Sequence, residues 1–172
     1  MDNFSRYILN WKASLKLSAE IFVQNLKEAY YKCIVPLFQN KPVELIVDGG
    51  SENNNETVDR FISDDIDNAI RKLVAQRDIL FSNSMVEAVN KILKYRFLFQ
   101  KEIPNFQSTV KHLKEFIPIY NQRPHTALSG RTPEEVLKGI ELNKEEYTMH
   151  FNEARMKRIE ENRRIWCENC KD

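Results

Sequence analysis

Four glycines and six prolines in 172 residues are too few for a large all-β protein or a disordered chain. Cysteine is also sparse. Three of them, an odd number, do not make a disulfide scaffold and suit a reducing cytoplasm. No apolar run approaches the roughly 20 residues that a membrane helix needs, and Met1-Asp2-Asn3 does not open like a signal peptide. A cytoplasmic protein without a membrane partner is the expectation. Excess charge of either sign is missing too, since the formal net charge is +1.

What is present is ordinary in amount and uneven in placement. Apolar residues make up 42% and charged residues 30%, as in a typical globular protein. A chain of this length reads as one domain with a helical appendage, able to bury about 70% of its unfolded surface. From Glu44 to Asp67 eight acids face a single base, Arg60. From Glu87 to Arg123 seven bases outnumber three acids. An acidic stretch can hold a cation and a basic one a phosphate backbone, although segregation of this size also arises by chance.

Along the chain, strand and helix patterns alternate, which points to an α/β fold with a mixed sheet. Phe4 to Trp11, rich in aromatic and β-branched residues, reads as a strand. Ser14 or Ser18 can cap a helix running to about Lys32, with Leu17, Ile21, Leu26 and Tyr30 on one side. Pro36 and Pro42 break the chain around a short link. Val43 to Val47 is a short apolar strand of the kind buried on both faces. Thr57 to Ile62 suggests a short helix with Val58, Phe61 and Ile62 inward, and Ile70 to Ala75 a further strand. Phe106 to Tyr120 forms an amphipathic helix. Thr132-Pro133-Glu134-Glu135 then opens another that ends near Gly139: Thr at the N-cap, Pro first and Glu third. From Glu145 to Trp166 the pattern is a solvated helical arm, free to pair with another copy or to lie on DNA.

Two carboxylates occupy different settings. Asp48 follows the apolar Val43–Val47 strand and precedes Gly49-Gly50, so it sits at a sheet rim that a phosphate or metal can approach. Glu87 lies in a helix from about Asn83 to Phe99. There Glu87, Asn90, Lys91 and Lys94 share a polar sector, opposite or beside Met85, Val86, Val89, Ile92, Leu93 and Phe97. Glu87 has a plainer reading as the partner of a Ser84 cap. Lys91 and Lys94 can likewise be ordinary solvated residues.

Asp48-Gly49-Gly50-Ser51-Glu52-Asn53, Glu87 and Tyr120-Asn121-Gln122-Arg123-Pro124-His125 succeed one another in an order that resembles the catalytic core of insertion-sequence transposases of the retroviral-integrase superfamily. The likeness runs from about Asp2 to Gly139. It implies a ribonuclease H-like fold and metal-dependent DNA strand transfer, with DNA as partner and a bacterial, nucleoid-associated location. Asp48 matches the second Asp of the family's Asp, Asp, Glu triad and Glu87 its Glu. Their spacing is slightly longer than usual, which a longer loop absorbs. The triad holds two Mg²⁺ or Mn²⁺ ions about 4 Å apart, so Asp48 and Glu87 become the expected catalytic and metal-holding residues. Asn90, Lys91, Lys94, Arg123 and His125 become the expected DNA contacts; for Arg123 and His125 a simple turn is the competing account.

The resemblance also sets an expectation of incompleteness. The family's first Asp belongs to a strand earlier than Phe4, and Asp2 falls in a structural turn, so the chain reads as N-terminally truncated and inactive alone. The expected layout is a truncated core over residues 1–104, post-core helices over 105–142 and a charged arm over 143–172. A non-catalytic product that binds DNA, forms a homo-oligomer or modulates a full-length transposase is the alternative. Cys167 and Cys170 have metal-ligand spacing, but a zinc site needs four ligands, so an exposed dithiol is the simpler reading.

Overall fold

A computed structural model describes residues 1–38, 41–66, 69–79 and 84–169. The chain divides into two compact units, Met1–Ile119 and Tyr120–Asp172.

The first unit is built around a parallel strand pair. β1 (Val43–Val47) and β2 (Ile70–Val74) run in register from Val43 opposite Ile70 to Val47 opposite Val74. Parallel neighbours require a crossover, and α3 (Glu56–Arg60) with a π-turn over Phe61–Asp65 supplies it. Asn55 starts α3, its Oδ1 accepting from Val58 N at 3.1 Å. Val58, Phe61 and Ile62 face inward as their spacing predicts, joining Leu26, Ile34, Ile66 and Ile70 in one buried cluster.

α1 (Ala19–Ala29) is capped by Ser18, whose hydroxyl accepts from Ile21 N at 3.4 Å, and continues through a π-turn, Tyr30–Ile34, into α2 (Val35–Phe38). Leu26 is buried as expected, but Leu17 precedes the cap and is 83% exposed. Pro36 does not break the chain. Helical winding runs on through it, from the Tyr30–Ile34 π-turn to Phe38.

Phe4–Trp11 is not a strand. Asp2 N donates to Tyr7 O at 2.9 Å and Ser5 N to Asp2 Oδ2 at 2.7 Å, which makes the start a turn. Beyond that turn the chain has no regular secondary structure up to Ser14 and no ladder partner among the described residues. It is fastened by side chains instead. Asn10 Nδ2 donates to Asn25 Oδ1 at 2.9 Å, Cys33 Sγ to Leu9 O at 3.3 Å, and Lys12 Nζ reaches Glu28 at 2.7 Å. The Lys12 and Asn10 contacts hold the Glu28 carboxyl below its ordinary range. β-Propensity makes a strand only where a neighbour offers a free edge. For the same reason the sheet among the described residues has two parallel strands, not the mixed sheet expected, and the fold stands as α/β.

α4 (Ser84–Ile92) gives way to a π-turn over Leu93–Phe97 and a 3₁₀ turn over Leu98–Gln100, so the single helix expected to Phe99 changes winding at Leu93. Val89 and Leu93 are buried. α5 (Phe106–Asn121) matches its predicted span; Phe97 packs on Phe116 with ring centroids 5.0 Å apart, and His112 stacks on Phe116 at 5.5 Å.

In the second unit, His125 N donates to Arg131 O and Gly130 N to His125 O, each at 3.0 Å, closing a tight turn that contains the 3₁₀ segment Thr126–Leu128. α6 (Pro133–Leu137) opens with the expected capping box. α7 (Lys144–Asn169) is the arm, longer than predicted at both ends and exposed along nearly all its length. Gly130, at φ +78°, leaves no room for a side chain: a Cβ there would lie 2.9 Å from the Tyr147 ring.

Candidate nucleic-acid and metal site

Asp48 is placed by its strand. β1 and β2 are parallel, so their carboxyl ends lie together, the edge where ligands of open α/β sheets bind. Ala75 N donates to Val47 O at 2.7 Å and extends the pairing by one step. The β2 end is closed by Asp78, whose Oδ2 accepts from Val74 N at 2.8 Å. On the β1 side the chain turns at once. Asn53 N and Asn54 N donate to Gly50 O at 3.1 and 2.9 Å. Gly50 N donates to Asp48 Oδ1 at 3.2 Å, and Asn53 Nδ2 donates to the same oxygen. Asp48 itself is exposed, whereas Asn53 is buried at 9%. Both donors fall on Oδ1, and Oδ2 takes no hydrogen bond from a described residue.

Glu87 lies in the first turn of α4, where a carboxylate is favoured by the positive end of the helix. Glu87, Asn90, Lys91 and Lys94 are all exposed, as their shared sector predicts, and their side chains make no hydrogen bond or ion pair with a described residue. Some other cations in the unit are paired, whereas Lys16, Lys27, Lys111 and Lys114 likewise make no ion pair with a described residue. Lys12 is held by Glu28, Arg60 by Glu56 and Lys72 by Asp59. Ser84 opens the described part of α4 and makes no side-chain hydrogen bond with Glu87; Asn83 and Ser82 lie outside the described residues.

Arg123 and His125 belong to the second unit. Arg123 is exposed, its backbone N donating to Tyr120 O at 3.3 Å. His125 is half-buried, with its ring 4.9 Å from that of Tyr120 in an edge-on contact. The side chains of Cys167 and Cys170 lie outside the described residues.

The donor set suits a hard divalent cation in chemistry but not in number. Asp48 and Glu87 offer carboxylate oxygens, the ligands Mg²⁺ and Mn²⁺ prefer. Among the described residues, however, no three His, Cys, Asp or Glu side chains come together as a metal site. These residues do not by themselves make the two-cation centre expected of the triad. Among the described residues, no helix is long and apolar enough to cross a membrane.

The family model of the integrase core domain matches residues 81–133. The match supports an integrase or transposase catalytic core, and it spans six of the seven predicted site residues, all but Asp48. No curated protein and no solved structure matches the chain. Within the matched segment two further residues stand out that helical spacing alone does not single out. Tyr95 and Phe99 are 63% and 64% exposed and meet edge to face at 5.2 Å. Their signal in the sequence is the interleaving of rings and bases in Lys94-Tyr95-Arg96-Phe97. Asn53, the support of Asp48, is likewise hard to foresee; its place five residues along in the Asp-Gly-Gly turn is the only sign.

Proposed function

We propose that this chain is a DNA-handling part of a transposase or integrase, built on a ribonuclease H-like core. In this reading Asp48 and Glu87 are the cation-facing carboxylates. Asn90, Lys91 and Lys94 take phosphates beside them, and Arg123 and His125 come after the core to place a DNA end. The single observation that carries the reading is the integrase-core match over residues 81–133. The exposed lysines at positions 91 and 94, without an ion-pair partner among the described residues, support it, because cations that neutralise phosphates release the counter-ions condensed on DNA.

The alternative reading is non-catalytic. Two cations need more ligands than Asp48 and Glu87 can provide. Residues 1–172 then bind DNA without cutting it and act with, or against, a full-length transposase.

Both readings are tested by one set of measurements on the purified chain. Retention of duplex DNA is expected to fall steeply with salt, and Lys91→Gln with Lys94→Gln is expected to reduce the log–log salt slope by about 2. Negligible binding at every salt concentration would remove both readings. With Mn²⁺ and a donor-end duplex, absence of nicking selects the non-catalytic reading. Nicking that Asp48→Asn abolishes selects the catalytic one.

A further inference from the structure

Tyr95 and Phe99 present two large rings to solvent at 63% and 64% exposure, touching edge to face at 5.2 Å. Two adjoining exposed rings offer a flat apolar face to a ligand. The charges around it say what kind of ligand. From Lys91 to Lys101 the chain carries four bases, Lys91, Lys94, Arg96 and Lys101, and no acid. All four are exposed, and none makes an ion pair with a described residue. A ring-bearing protein partner would leave these cations without a counter-charge unless it were acidic at each of them. A flexible polyanion with flat apolar faces meets both demands at once.

We infer that the Tyr95–Phe99 pair is a stacking platform for unpaired nucleotides, with Lys91, Lys94, Arg96 and Lys101 holding the phosphates on either side. Bases stack on aromatic rings regardless of sequence while a basic surround tracks the backbone, the combination used for single-stranded nucleic acid. A duplex keeps its base faces stacked internally, so it engages the cations but not the rings. The inference deepens the proposed DNA-handling role, on which it rests for its class of ligand: it assigns this surface to a single-stranded end.

The test compares a fluorescein-labelled oligothymidylate of about 16 nucleotides with a duplex of equal length, by anisotropy against salt. Tyr95→Ala with Phe99→Ala is expected to weaken oligothymidylate binding roughly ten-fold or more. The same pair should leave duplex binding and the salt slope unchanged, and Tyr95→Phe should behave as the parent. Circular dichroism checks that the doubly substituted chain is folded. Independently of folding, a 5-iodouracil-containing oligonucleotide on the unsubstituted chain is expected to crosslink to Tyr95 or Phe99 by peptide mapping. An unchanged oligothymidylate affinity overturns the inference. So does an equal loss on both DNAs, or a shift from dimer to monomer on sedimentation with no change in binding. Duplex binding without oligothymidylate binding ends this inference and leaves the proposed function standing. Binding to neither DNA removes the proposed function and this inference with it.

Discussion

Thr132 and Glu135 satisfy each other across the first turn of α6. Thr132 Oγ1 accepts from Glu135 N at 3.1 Å, and Glu135 Oε2 accepts from Thr132 N at 2.7 Å. Two backbone donors that the helix geometry leaves over are thereby paired. Pro133, the first helical residue, has no N–H to satisfy.

Thr132→Ala is expected to destabilise the fold by about 1 kcal/mol, read from urea denaturation at neutral pH. The backbone N–H and hydroxyl of Thr132 hold the Glu135 carboxyl below its ordinary range. A depressed carboxyl stabilises above its unfolded-state pKa, and that contribution is lost as pH falls through the folded one. Glu135→Gln is therefore expected to lose stability relative to the parent at neutral pH, with the difference closing below about pH 4. A gap that persists unchanged into acid would mean that the carboxylate's charge plays no part in the cap.

The second prediction separates shape from charge at the sheet rim. Asp48 Oδ1 takes donors from Gly50 N and Asn53 Nδ2, and an amide oxygen can accept both. Asp48→Asn should keep the turn, whereas Asp48→Ala should cost about 1 kcal/mol and loosen residues 49–54. Denaturation midpoints and amide exchange across that loop read the difference. Equal loss in both variants would show that the negative charge, not the acceptor, organises the turn.

The third concerns the crossover. Phe61 is 3% exposed and sits in the cluster with Leu26, Ile34, Val58 and Ile70. Phe61→Ala removes a whole ring from a packed interior and is expected to cost about 3 to 5 kcal/mol by denaturant titration. A loss under about 1 kcal/mol would mean that the surrounding side chains collapse into the gap and that the cluster is not tightly packed.

Local patterns are the legible part of this chain. The Val43–Val47 and Ile70–Val74 strands, the inward triplet Val58, Phe61 and Ile62, the span of α5 and the Thr132 cap all derive from periodicity or from interactions within four residues. Phe4–Trp11 has the composition of a strand without forming one, because strand formation depends on a distant neighbour. Leu17 falls outside the helix because, of the two serines able to start it, the later one does. The π-turns after Ala29, Arg60 and Ile92 leave no sequence signal, since they depend on how each helix beds into the core. At the site, the exposure of Glu87, Asn90, Lys91 and Lys94 is readable from helical spacing. Convergence of Asp48 with other ligands is not, because no local pattern sets the distance between a strand end and a helix some 40 positions on.

Gly130 carries a consequence for the arm. Its missing Cβ is what lets the Tyr147 ring come down beside the turn, and its left-handed φ of +78° suits no other residue well. Even one added methyl would have to displace that ring from beside the turn. The root of a 26-residue helix is thus anchored by space left empty in the loop beside it.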